Sequence, residues 1–155
     1  MRLWSLAWVL PLCLVSCGDK SAVSLTVTLD QATVTAQQGT FGATLGGGFE
    51  LKFELGPEAS GSATVSLGSF AIQTAAGMPL VDQVTLAASG ATFPLVVNKG
   101  ASQTVTFTMS STKVLMPADR AALCAGQVMI VGTVMDSLKG GTDSLSSNPI
   151  TPTCS

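Results

Sequence analysis

The side chains of this sequence that could do chemistry are few. Asp136 and Asp143 flank the Gly-rich stretch Lys139-Gly140-Gly141-Thr142. With backbone carbonyls they could form an oxygen cage for Ca²⁺. No denser run of Asp and Asn supports a cage, and a solvated hairpin loop is the expected reading. Glu50 and Glu54 stand on one side of an alternating segment with Lys52 between them. Two such carboxylates are the groups that glycoside hydrolysis requires, but the Glu-Lys-Glu order reads as a self-neutralising outer face. Met78, Met109, Met116, Met129 and Met135 offer soft thioethers for a metal. They are scattered, and core filling is expected of most. Asp119 and Arg120 read as a helix cap and surface charge. The four Cys include no CxxC pair, and there is no His at all. Without imidazole there is no Ser-His-Asp or Cys-His catalysis, no imidazole metal ligand and no histidine pH switch. No catalytic residue, metal site or cofactor is therefore assigned, and no ligand-binding residue can be nominated.

The elements that position these residues are strands. Leu25, Val27 and Leu29 alternate with Ser24, Thr26 and Thr28, and Val34 continues between Thr33 and Thr35. Phe49, Leu51, Phe53 and Leu55 alternate with Glu50, Lys52 and Glu54, and Val105, Phe107 and Met109 with Thr104, Thr106 and Thr108. A period of two with Thr on the polar side marks antiparallel strands that bury one face. Three turns suggest pairings. Gly46-Gly47-Gly48 as a hairpin loop sets Leu45 against Phe49, Ala43 against Leu51 and Phe41 against Phe53. Ser89-Gly90 sets Leu86 against Phe93 and Val84 against Leu95. Asn98-Lys99-Gly100 aligns Phe93 with Val105, with Gly100 in the left-handed position. In Ala63–Ile72 the apolar parity changes across Gly68-Ser69, which predicts a β-bulge or a bend between sheets. Pro117–Leu123 predicts one short helical turn with Pro at its start. Gln127–Asp136 is apolar on both parities, as a central strand is, and Asp143–Ile150 returns beside it. Some eight or nine strands predict an all-β, antiparallel sandwich of immunoglobulin-like or fibronectin-like character. Residues Phe93–Phe107 resemble the Gly-turned hairpins of bacterial envelope Ig-like domains, a generic likeness that carries no function.

The N-terminus reads differently. Arg2 precedes an apolar run from Leu3 to Val15, shorter than the roughly 20 residues of a membrane-spanning helix. The run ends in Leu14-Val15-Ser16-Cys17, and residues 1–17 resemble the signal peptides of bacterial lipoproteins. The resemblance implies a signal at 1–16, lipidation of Cys17 as the first mature residue, a tether at 17–21 and a domain at 22–155. It also implies attachment to the membrane through acyl chains, two or more of which hold firmly. Gly18 after the lipidated Cys departs from the Asp-based inner-membrane retention pattern, so the outer membrane is the expected address, with Asp19 next in line.

Processing at this point would remove Trp4, Trp8 and Cys13. With no Tyr in the chain, the mature protein should absorb almost nothing at 280 nm, and it lacks the usual stacking platforms for sugars and bases. With Cys17 lipidated, Cys124 and Cys154 remain, and in an oxidising envelope they are expected to pair. The loop of about 30 residues would stabilise by roughly 3–4 kcal/mol. The bridge is expected to tie the start of the Gln127–Asp136 strand to the end of its returning neighbour. Nine acids outnumber the Lys and Arg, and no basic cluster exists, which excludes an electrostatic nucleic-acid surface. A transmembrane barrel is disfavoured by the absence of aromatic girdles. The expectation is a lipid-anchored, non-catalytic envelope protein that docks a protein partner. The alternative is a module carrying a small apolar ligand or lipid between its sheets, and a carboxylate-only hydrolase is a third reading.

Overall fold

The computed structural model describes residues 24–155. Cys17, the signal at 1–16, the tether at 17–21 and the first residues of the domain at 22–155 lie outside the described residues. The alternating segments form β1 (Leu25–Gly39), β2 (Gly42–Leu55), β3 (Ala63–Thr74), β4 (Pro79–Val81), β5 (Val84–Ser89), β6 (Leu95–Val97) and β7 (Ser102–Ser111). After the helix α1 (Pro117–Cys124) come β8 (Val128–Asp136), β9 (Gly141–Ser146) and β10 (Thr153–Cys154). One sheet has the order β10-β1-β2-β7-β5, and the other β4-β3-β8-β9 with β6 also on β3. The expected all-β sandwich is thus present. Its strand number exceeds eight or nine because β4, β6 and β10 are only two or three residues long.

Aromatic rings join the layers. Phe49 of β2 stacks on Phe70 of β3 in the opposite sheet at 5.4 Å and on Phe107 of β7 at 5.3 Å. Phe93 closes the cluster against Phe53 and Phe107. Burial of each ring contributes roughly 1.5–3 kcal/mol, and each ring pair about 0.5–1.5 kcal/mol more. Phe70 lies directly over Gly132, its partner on β8, where a Cβ would occupy the ring's place.

The faces follow the apolar parity, but several pairings differ from expectation. Gly46-Gly47-Gly48 is not a loop: β2 runs straight through it, and the hairpin turn is Thr40-Phe41, between the paired Gly39 and Gly42. Ala43, Leu45, Phe49, Leu51 and Phe53 are buried as expected, because a three-residue loop and a continuous strand preserve the same parity. Phe41, expected opposite Phe53, is 92% exposed at the tip. The glycines serve close approach instead. A Cβ on Gly47 would collide with the Thr33 carbonyl oxygen, and one on Gly48 with that of Phe107.

Ser89-Gly90 and Asn98-Lys99-Gly100 do not close hairpins either. β5 pairs with β7, setting Leu86 against Met109, whereas β6 pairs with β3, setting Leu95 against Val65. Both connections therefore carry the chain from one sheet to the other, although Gly100 does adopt the left-handed conformation at φ 72°. Gly68-Ser69 is a bulge within the β3–β8 ladder and not a change of sheet. A second bulge interrupts β1 between Asp30 and Thr33, with Gln31 at φ 52°. It moves the core-facing parity from Leu25 and Leu29 to Val34 and Ala36.

Candidate functional site

Asp136 and Asp143 fall on the same side of the β8–β9 ladder, facing Gly141 and Val134 respectively. The hairpin uses both for itself. The Leu138 N–H donates to Asp136 Oδ1 at 2.9 Å, and the Gly140 N–H donates to the Asp136 carbonyl at 2.9 Å. Side chains of Asp and Asn commonly shape turns in this way. Ser137 ties the turn to β3: its N–H donates to the Thr64 carbonyl and its Oγ accepts from the Thr64 N–H. Lys139 forms an ion pair with Asp143. Among the described residues no three His, Cys, Asp or Glu side chains converge. Both aspartates are thus engaged within the hairpin loop itself. Asp136 is nonetheless buried, and its Oδ2 has no hydrogen-bond partner among the described residues.

The Glu50, Lys52 and Glu54 face is likewise self-contained. Lys52 Nζ lies 2.7 Å from Glu54 Oε1, and Glu50 accepts from Gln31 Nε2 at 3.0 Å and from Thr106 Oγ1 at 3.3 Å. These carboxylates lie on an open sheet face, where exposed ion pairs add little stability. The methionines do not behave as expected: only Met109 is core, Met129 is half-buried, and Met78, Met116 and Met135 are exposed. Met135 sits on the outward parity of β8, while Met78 and Met116 lie in connections. Asp119 is not the expected cap: Met116 holds that position without a side-chain bond and Asp119 lies in the first turn of α1, whereas Arg120 reaches from its Nη2 to the Ser155 carbonyl at 3.2 Å. A surface cleft of about 450 Å³ beside α1 is lined by Leu80, Val81, Asp82, Lys113, Met116 and Asp119 among others.

Cys124 and Cys154 form a disulfide with Cα atoms 6.2 Å apart. Its place in the fold differs from expectation. Cys124 ends α1 and Cys154 belongs to β10, which lies parallel to β1 at Thr35 and Ala36. The bridge therefore ties a strand only two residues long, which pairs at the edge of the first sheet, to the end of α1. Gln38 N–H donates to the Ser155 carbonyl at 2.7 Å, and Ser155 N–H to the Ala36 carbonyl at 3.1 Å.

β10 covers only the second half of β1. The first half, Leu25–Asp30, pairs with β2 on one side and with no described strand on the other. It contains neither Lys nor Pro, the residues that commonly protect such edges. No sequence pattern singles out this edge beforehand, because alternation assigns a residue to a face and says nothing about which strand is outermost. No family model matches the chain, and no curated protein or solved structure shows a significant match to it.

Proposed function

We propose that this is a lipid-anchored protein of the bacterial envelope, held at the outer membrane through Cys17, whose Ig-like β-sandwich has a structural or protein-docking role and no catalytic one. The observation that carries the anchor is the run Leu14-Val15-Ser16-Cys17 after a short apolar stretch. The docking role is supported by the open backbone edge at Leu25–Asp30, a form of surface that accepts a further strand. The apolar-ligand alternative is weakened by the interlayer space, which Phe49, Phe70 and Phe107 fill by stacking.

Seven residues separate Cys17 from Leu25, so β1 would start within roughly 30 Å of the lipidated residue at ~3.3–3.6 Å per residue.

The test is envelope fractionation of the full chain and of Cys17→Ala, with mass spectrometry of the N-terminus. An acylated Cys17 in the outer-membrane fraction, and release or incomplete processing of the variant, is the expected result. Equal membrane retention of the two with the same N-terminus would refute the anchor.

A further inference from the structure

The open edge of β1 is a palindrome. Residues 25–29 read Leu-Thr-Val-Thr-Leu in either direction. From this and the backbone geometry we infer that the partner of this edge is a second copy of the chain, paired antiparallel about a twofold axis through Val27. The inference deepens the docking role proposed above and rests on that reading for the surface confinement that strengthens the contact.

The direction of the backbone groups supports the pairing. Leu55 N–H donates to Ala101 on the β7 side, so the odd-numbered residues near that end of β2 aim their backbone groups at β7 and the even-numbered ones aim theirs at β1. Thr26 and Thr28, the partners of Glu54 and Lys52, are thereby hydrogen-bonded to β2. Leu25, Val27 and Leu29 turn N–H and C=O to the free edge. In the twofold arrangement Val27 exchanges both bonds with its own copy, and Leu25 does so with Leu29. The side chains match as well. Leu meets Leu and Val meets Val on the core-facing side, where Val27 is half-buried in the single chain. Thr26 meets Thr28 on the exposed side, a favourable cross-strand pair. Asp30 faces Ser24, so no like charges oppose each other. The segment Ser147–Ile150 borders the strand from Leu29 onward and the bulge follows Asp30, so the open stretch ends about where the palindrome does.

A twofold contact requires one patch to complement itself, and a palindromic edge meets that requirement in sequence as well as in backbone. A ladder this short covers less area than a standard stable interface. It forms a weak dimer in dilute solution and a stronger one where copies share a membrane surface.

The test is oxidative cross-linking of full-length Val27→Cys in intact cells, with Thr85→Cys on the opposite sheet edge as the control. The same samples are fractionated. Val27→Cys is expected to give at least tenfold more disulfide-linked dimer than Thr85→Cys. Adding Thr26→Lys and Thr28→Lys, which oppose like charges across each Thr pair, should lower that yield at least tenfold. If Val27→Cys does not fold, judged by protease resistance, the exposed pair Thr26→Cys with Thr28→Cys reads the same contact. A yield no higher than the control, wherever the chain fractionates, overturns the pairing. Loss from the membrane fraction with the dimer present counts against the anchor alone.

Discussion

Replacing Cys124 and Cys154 together by Ser removes the covalent cross-link between β10 and α1. The bridge closes a separation of 30 residues, and in the chain-entropy model its loss frees about 4 kcal/mol of unfolded-state entropy at 25 °C. The folded state recovers part of this by fraying. Ile150 stays bound, since its N–H and carbonyl both pair with Val128. Beyond it, Thr151–Ser155 are held chiefly by the two backbone bonds to β1 and by Arg120. At about 1 kcal/mol net each, those three bonds return about 3 kcal/mol. Ordering the backbone of this tail costs roughly 1–2 kcal/mol per residue. The cost exceeds the return, so β10 leaves the sheet in the variant while the core persists. A global loss of about 2–4 kcal/mol is expected, measured by urea denaturation with circular dichroism. Amide exchange by NMR should show Gln38 losing most of its protection while Leu51, deep in β2, tracks global stability. A loss below 1 kcal/mol, with Gln38 still as protected as Leu51, would refute the view that the bridge holds β10.

Three further substitutions and one control test the packing. Gly47→Ala should cost more than 2 kcal/mol in urea unfolding, because φ 130° is strained for any side chain and the new Cβ meets the Thr33 carbonyl; Gly61→Ala, with open space around it, is the matched control and should change little. Asp136→Asn keeps the acceptor for Leu138 N–H and changes only Oδ2, which has no hydrogen-bond partner among the described residues, so stability should stay within about 1 kcal/mol. A loss above 2 kcal/mol would instead mean that Oδ2 has a partner in solution. Phe41→Ser, at a position 92% exposed, should leave the unfolding midpoint unchanged, and a clear drop would mean that the ring packs in solution.

The strand faces were legible and the strand neighbours were not, for a physical reason. Alternation records which side of a sheet a residue occupies, so Leu25, Phe49 to Leu55, and Val105 to Met109 could be assigned to the core from their spacing. Choice of neighbour depends on long-range packing. The turn residues at Ser89-Gly90 and Asn98-Lys99-Gly100 permit a change of direction whether the chain stays in its sheet or crosses to the other. Gly46-Gly47-Gly48 misleads because glycine suits both a turn and the close approach of strands. The bulge in β1 did leave a signal: the apolar parity changes between Leu29 and Val34, as it does around Gly68-Ser69. There it lacks a glycine, since Gln31 takes the positive φ. The disulfide followed from counting cysteines, but β10 is too short to show a pattern, so its place beside β1 could not be read.

The two halves of β1 should respond to perturbation in opposite ways. The half beyond the bulge is closed by a strand that cannot hold its place by hydrogen bonds alone, and it depends on the disulfide. The half before the bulge is open and self-complementary. Lysines at Thr26 and Thr28 should reduce self-association without unmasking anything, because both side chains already face solvent. Removing the disulfide should raise it, since release of β10 frees the Ala36 carbonyl and the Gln38 N–H and lengthens the available edge. Sedimentation velocity of the purified full chain at several concentrations distinguishes the effects. If the disulfide-free protein associated no more strongly than the bridged one, β10 would not be acting as a cover. If the lysine variants associated as strongly as the parent, the palindromic half would not be the contact.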